Sequence, residues 1–321
     1  MEEAYLKAKE LVTKKYGRDY KYFALVTLGL CALLYKYKEH YDDVADLFNR
    51  MDIYLDNDSV LNIIKKNKIE AVDYDDDEDE KFNNDNIASD ALSYEGHSCR
   101  IIDGKACLVT SNPTIIMDIR ANKTVVLNNF IHEFNHLVKN IVDGCHLLDD
   151  KLGIEIRSGI NYYIWSYDIE EDCVSEAICF CALDEVINVF QTTEMMESLL
   201  MLDGIIPDED VAKHYNELDE ELMHDDVGYE RVTKEVKPLW ENPEFHDLID
   251  DNIYDGNLFA IIEGFDNIMG ESSFDRFASY VNAYNDEINN GIKSKKNVTP
   301  REKIKNVVKK FNNLTNYVYK K

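Results

Sequence analysis

Hydrophobic residues change their spacing along this 321-residue chain, and that change constrains the fold more than any other feature. From residue 1 to about 70 they recur every three or four positions, as Leu25, Leu28 and Ala32 do, which predicts two to four helices. From 99 to 119 the chain instead contains short runs rich in Ile, Val and Thr. Asp-Gly and Asn-Pro break these runs, so the pattern predicts two or three strands joined by turns.

The rest of the chain returns to helical spacing. A helix is predicted from about 123 to 142, followed by extended pieces at Ile154–Ile156 and Ile160–Trp165. From about 168 onwards we expect mainly helices, separated by breaks at Pro207, Pro238 and Pro243. Together these patterns predict an α+β fold that is predominantly α-helical.

The same patterns divide the chain into four regions. We expect a helical N-terminal region (1–70), an acidic linker or loop (71–95), a core of strands and helices (96–195) and a helical C-terminal region with a basic tail (196–321). The linker is predicted from the run DYDDDEDE at 73–80, where self-repulsion and low hydrophobicity oppose folding.

Charge is distributed unevenly and limits the possible partners. The chain has 63 acidic and 35 basic residues, a net charge of −28, yet residues 291–321 contain ten basic residues and one acid. The body therefore repels phosphate backbones and anionic lipid, which makes nucleic acid an unlikely partner and argues against membrane binding. For the tail we expect a solvated helix face, with docking on the acidic body or an anionic partner as the alternative.

Cysteine usage and the N-terminal sequence both predict a cytoplasmic protein. The seven cysteines show neither C-x-x-C spacing nor the density of a small disulfide scaffold, so they are expected to be free thiols. The N-terminus lacks the basic and then apolar layout of a secretory signal. The apolar segment Phe23–Tyr35 is too short to span a membrane and predicts a buried helix instead.

The segment NNFIHEFNHLVKN contains the pattern H-E-x-x-H, formed by His132, Glu133 and His136. Residues four apart lie on one face of a helix, so the two imidazoles can bind a single metal ion while Glu133 reaches a water molecule beside it. Zinc lowers the pKa of such a water, and a nearby carboxylate can take its proton. The pattern thus predicts a Zn²⁺ site with His132 and His136 as ligands and Glu133 as general base.

The residues around the motif predict a helix that is apolar on one side and polar on the other. The polar side comprises Asn128, His132, His136 and Lys139. This division suits a metal-binding helix at the wall of a cleft. The apolar side comprises Leu127, Ile131, Phe134, Val138 and Ile141.

HEFNH after a small sheet resembles the zincin metallopeptidases, in the branch where a glutamate on a later helix is the third zinc ligand. The resemblance covers roughly residues 105–195. It implies a zincin-like core within the 96–195 region and a zinc-dependent metallopeptidase that hydrolyses a peptide or protein substrate. The metzincin branch is not supported, because HLVKNIVDGC lacks the third histidine.

The third ligand that the resemblance implies is Glu185. Residues 183–192 resemble the L-[N/D/E]-E-[A/V]-I-N pattern around the ligand glutamate of such proteins. They depart from the better-known N-E-x-x-S-D form, because Asp184 precedes the glutamate and Val189 stands where that form has an aspartate. Asn188 shares a helix face with Glu185 and could hydrogen-bond a ligand. The alternative ligands are Glu155, Glu171, Asp172 and Glu176. Such a site also needs a hydrogen-bond donor to the oxyanion, and the candidates are Tyr162, Tyr163 and Tyr254. The sequence does not distinguish among these three.

Two other functions remain open. HEFNHL also resembles the helix of peptide deformylases, in which Cys99 of EGHSC would replace Glu185 as ligand, although the glycine-rich segment of that family is missing. The second open function is that of a non-enzymatic, zincin-like binding protein with a structural zinc site. A closed site with four protein ligands would favour the binding protein, and an open coordination position would favour catalysis.

Overall fold

A computed structural model describes residues 1–69, 91–94, 97–102, 105–148, 151–168, 173–223, 229–290 and 298–318 of the chain. Short 3₁₀ helices also occur at Lys38–His40 and Leu199–Leu202. The α-helices of the described part are α1 (Glu2–Tyr16), α2 (Phe23–Lys36), α3 (Tyr41–Arg50), α4 (Val60–Asn67), α5 (Lys123–Val138), α6 (Cys181–Ser198), α7 (Glu209–Tyr215), α8 (Glu220–Met223), α9 (Glu230–Trp240), α10 (Pro243–Ile253), α11 (Leu258–Met269), α12 (Ser273–Asn290) and α13 (Pro300–Val318).

The strands of the described part lie between residues 52 and 179 of the chain. They are β1 (Asp52–Asp56), β2 (Ala91–Tyr94), β3 (His97–Ile102), β4 (Lys105–Thr110), β5 (Thr114–Asp118), β6 (Asn140–Leu148), β7 (Lys151–Ser158), β8 (Asn161–Asp168) and β9 (Cys173–Cys179). The α+β, predominantly helical fold class is therefore confirmed. Among the described helices, none combines the length and apolarity needed to cross a membrane.

The chain forms two compact units, each built from separate segments. The first unit contains residues 1–98, 109–138 and 191–227, and the second contains 99–108, 139–190 and 228–321. Helix α6 is continuous across this division, because its residues 181–190 belong to the second unit and 191–198 to the first.

The first unit contains a three-stranded sheet with the order β1-β5-β2. β1 pairs with β5 in parallel and β2 pairs with β5 in antiparallel orientation. Every residue of β5 is buried. On one side of the sheet, Ile116 packs with Val60, Ile63 and Ile64 of α4.

Helices α2 and α5 supply much of the core of the first unit. Eleven residues of α2 are buried, which confirms the prediction of a core helix. Asn122 caps α5, since its side chain accepts a hydrogen bond from the Val125 amide at 2.9 Å. Phe134 of α5 stacks on Phe48, with ring centroids 6.3 Å apart, and contacts Phe130 edge to face at 5.9 Å.

The second unit contains a four-stranded antiparallel sheet with the order β6-β7-β8-β9. A two-residue turn at Gly159 and Ile160 joins β7 to β8, because Ser158 pairs with Asn161. Gly159 has φ +61°, and glycine at the first position of such a turn matches the right-handed twist of the strands. β3 and β4 form a separate two-stranded sheet.

The helices of the second unit enclose a large apolar core. Phe265 of α11 lies at its centre, stacked on Phe277 and Phe311 with centroids 5.8 Å and 5.2 Å away. Two residues of the basic tail bind within this unit, since Arg301 and Lys305 of α13 pair with the buried Glu235 of α9. The Arg301 and Lys305 side chains remain 50% and 53% exposed, so they pair with Glu235 while still lying on a solvated face of α13.

Several boundaries differ from the predictions. The helix expected at 123–142 ends at Val138, because the residues after Lys139 pair with β7 as strand β6. Residues 173–179, expected to be helical, form β9 against β8. Pro238 lies inside α9, whereas a break between helices was predicted there. Of the predicted linker, residues 71–90 and 95 lie outside the described residues, and 91–94 form β2.

Candidate metal site

The two histidines of the motif lie on adjacent turns of α5 and face each other. Their Nε2 atoms are 3.2 Å apart, and their rings meet nearly at right angles with centroids 4.8 Å apart. Both side chains are half-buried. The four-residue spacing therefore brings two nitrogen ligands to one point on the helix surface.

Glu133 lies beside the histidines and is held by a residue that the sequence did not indicate. The hydroxyl of Ser93, on β2, donates a hydrogen bond to Oε2 of Glu133 at 2.6 Å. Both side chains are half-buried. Because 40 residues separate the two, only the folding of β2 against α5 could have revealed the contact. The hydrogen bond fixes the direction in which the Glu133 carboxylate points.

The opposite side of the motif is anchored by buried polar contacts. Asn135 has no exposed surface, and its Oδ1 accepts a hydrogen bond from the Tyr37 hydroxyl at 2.5 Å. Its amide donates to Oε1 of Gln191, also fully buried, at 3.2 Å. These bonds restrict rotation of α5 about its axis, because buried polar groups that lose their partners are costly.

Glu185 is half-buried near the start of α6, where Leu183, Val186 and Ile187 enter the apolar core. Asn188, one turn further on, is fully buried and accepts a hydrogen bond from Nζ of Lys139 at 2.9 Å. Lys139 was expected on the polar side of α5, yet it has no exposed surface. It directly follows the end of that helix, so its side chain no longer obeys the helical spacing.

The residue before Glu185 is also fixed. Asp184 is 3% exposed, and its Oδ1 accepts a hydrogen bond from the amide of Ile160 at 2.9 Å. The amide of Gly159 donates to the backbone oxygen of Lys139 at 3.1 Å. The turn between β7 and β8 thus touches both α6 and the residue that follows α5.

The alternative ligands lie in strands or outside the described residues. Glu155 is half-buried on β7. Glu176 was expected on a helix but lies on β9, opposite Trp165 of β8. Glu171, Asp172 and the side chain of Cys99 lie outside the described residues. Among the described residues, His132, His136 and Glu185 carry donor atoms suited to a metal ion, with the two histidines in the first unit and Glu185 in the second. Glu194, His246 and Asp250 are a second such set, with Glu194 in the first unit and the other two residues in the second.

Burial shifts the pKa of several groups away from α5, including a thiol and an imidazole. Burial raises the pKa of the Cys31 thiol to about 12, so this cysteine is a neutral thiol at pH 7. Burial, assisted by the charge of Lys123, lowers the pKa of His214 to about 4. At neutral pH the Cys31 thiol is therefore a poor nucleophile and the His214 imidazole a weak base.

No protein-family model, curated protein or solved structure matches this chain. Its function therefore has to be argued from the chemistry of the residues on α5 and α6.

Proposed function

We propose that this chain is a zinc-dependent metallopeptidase in which His132, His136 and Glu185 hold the metal and Glu133 is the general base. The observation that supports this most is the 3.2 Å separation of the two imidazole Nε2 atoms beside a carboxylate. Two imidazoles and a carboxylate match the donor set of catalytic zinc sites, which leave a fourth position open for water or substrate.

Zinc, when bound, would polarise the scissile carbonyl and make water acidic enough to lose a proton near neutral pH. Glu133 would take that proton and later deliver it to the leaving amine. Its Oε2 already accepts the hydrogen bond from Ser93, so Oε1 is the atom assigned to proton transfer. Ser93 would hold the carboxylate in one orientation throughout.

Charge gives an expectation about the substrate. The first 290 residues carry −37, because the remaining 31 residues contribute +9 to the net −28. If the substrate-binding surface shares this charge, basic or neutral peptides should be preferred over acidic ones, and this preference should weaken as salt is added.

The test combines metal analysis with hydrolysis of a mixed-sequence peptide library followed by mass spectrometry. We expect about one zinc per chain in the wild type, loss of the metal in His132→Ala, and a loss of activity of at least about a hundredfold in Glu133→Gln. The control is His40→Ala, which replaces a half-buried histidine far from the motif in sequence. This variant should keep both the bound zinc and the peptide hydrolysis of the wild type.

Two results would contradict the proposal. The metal site is wrong if the purified wild type binds no stoichiometric zinc. The role of Glu133 is wrong if Glu133→Gln hydrolyses the library at the wild-type rate. Bound zinc without hydrolysis of any peptide would instead support the structural-zinc alternative, and four protein ligands around the ion would strengthen it.

A further inference from the structure

Glu185 is flanked by two buried polar residues, each bonded to a different part of the second unit. Asp184 binds the Ile160 amide and Asn188 binds the Lys139 ammonium, both at 2.9 Å. Lys139 is joined to the same turn through the Gly159 amide. We call Lys139, Gly159, Ile160, Asp184 and Asn188 the buried polar cluster.

The two bonds leave the same face of α6. Asp184 and Asn188 are four residues apart, so they lie about 40° from each other round the helix and one turn apart along it. Rotation of α6 about its axis would therefore strain both bonds together. Glu185 directly follows Asp184, so the bonds that hold this face also limit the directions in which its carboxylate can point.

Apolar packing alone does not fix a helix in this way. Leu183, Val186 and Ile187 bury the opposite face of α6, but hydrophobic contacts are non-directional and tolerate small rotations. Hydrogen bonds weaken steeply with angle, so buried ones restrict orientation far more.

We infer that the buried polar cluster positions Glu185 and thereby sets the metal affinity of the site, an inference that rests on the proposed zinc function. Its members act as positioning residues. Residues that orient a metal ligand typically change metal affinity 10–100-fold when altered. The same range is expected here.

Gly159 allows the cluster to be disturbed without changing α6. A methyl group at this position would overlap Oδ1 of Asp184 and lie 3.2 Å from its Cγ, and φ +61° is a conformation that alanine rarely adopts. Gly159→Ala should therefore push Asp184 away from the Ile160 amide and release one of the two attachments of α6.

The experiment measures zinc affinity by competition with a chromophoric chelator for the full-length chain. We expect Gly159→Ala and Asn188→Leu to weaken zinc binding about 10–100-fold. Asp184→Asn keeps an oxygen acceptor for Ile160 and should bind zinc within about threefold of the wild type. The control is Thr192→Val on the same helix. It removes a buried hydroxyl that lacks a hydrogen-bond partner and should leave zinc affinity unchanged.

Hydrogen exchange of residues 183–190 in the zinc-free proteins separates positioning from general destabilisation. We expect faster exchange in this segment of Gly159→Ala and Asn188→Leu, with unchanged circular dichroism. If both variants are folded and bind zinc as tightly as the wild type, the inference is wrong while the proposed function stands. A wild type that binds no zinc overturns both. If Gly159→Ala does not fold, the affinity of Asn188→Leu decides.

Discussion

The close contact between α2 and α5 makes Gly29 a sensitive test of how the motif helix is packed. Gly29 lies in the middle of α2, and a methyl group there would be 2.6 Å from Cε1 of Phe130, and closer still to its Cδ1. Phe130 lies two residues before His132 and has no exposed surface. Gly29→Ala therefore forces α5 or the Phe130 ring to move.

Two effects of opposite sign decide the outcome. Alanine stabilises a helix interior by about 1 kcal/mol relative to glycine. Inserting a methyl group into a packed core costs about 1–3 kcal/mol, and the cost is at the upper end where neighbours cannot yield. Phe130 cannot yield easily, because Phe134 packs against its ring at 5.9 Å. We therefore expect Gly29→Ala to lower the free energy of unfolding by about 1–2 kcal/mol.

Gly264→Ala in α11 is the matched control. Its methyl group would meet the end of the Leu248 side chain, which is only partly buried and can change rotamer. The gain in helix propensity is the same but the steric cost is smaller, so the free energy of unfolding should stay within about 0.5 kcal/mol of the wild type or rise.

Urea unfolding followed by far-ultraviolet circular dichroism measures the effect. Replacing Phe130 by leucine in the Gly29→Ala background should relieve the overlap, so the two changes together should cost less than their sum by about 1 kcal/mol or more. The packing argument fails if Gly29→Ala is as stable as the wild type, or if the two changes are additive.

Two further predictions concern stability. Lys15 donates hydrogen bonds to the carbonyls of Phe48, Asn49 and Met51 at the end of α3, so Lys15→Met should cost about 2–4 kcal/mol in urea unfolding, and exposed Lys14→Met should cost little. His214 has a folded pKa of about 4, below its unfolded value of 6.5, so its contribution is complete above pH 6.5 and is lost as pH falls towards 4. Allowing for solvent screening, the loss should be about 1–2 kcal/mol, and His214→Phe should show a correspondingly flatter stability profile between pH 6.5 and 4. If the stability of His214→Phe depends on pH as steeply as that of the wild type, the burial of a neutral imidazole is contradicted.

The sequence predicted best those features that depend on neighbours in the chain. The spacing of apolar residues indicated α2 and α5, and the two hydrophobic runs at Ile154–Ile156 and Ile160–Trp165 indicated β7 and β8. The pairing of the histidines also follows from local geometry, because a helix fixes the positions of residues four apart.

Features that depend on distant partners could not be predicted in the same way. β1 pairs with β5 in parallel although about 60 residues separate Asp52 from Thr114. No local sequence pattern predicts that these two strands pair. Glu176 was expected on a helix because the chain from about residue 168 onwards was predicted to be mainly helical, whereas pairing with β8 makes its segment a strand. The hydrogen bond from Ser93 to Glu133 could not be predicted either, because it forms only when β2 packs against α5. Lys139 was placed on the polar side of α5 because the predicted helix continued to about residue 142, whereas the helix ends at Val138.

Stability alone does not account for the polar residues buried around α5 and α6. Replacing a buried hydrogen-bonded pair by apolar groups of similar shape is often neutral or stabilising, so such pairs contribute little that leucines could not. Their hydrogen bonds nevertheless have direction, and a metal site needs ligands held within about 0.5 Å of their productive positions. Asn135 with Gln191 and Asn188 with Lys139 fix the rotation of the two helices that carry the proposed ligands. On the proposed function, the geometry that zinc binding requires would account for the cost of burying these groups.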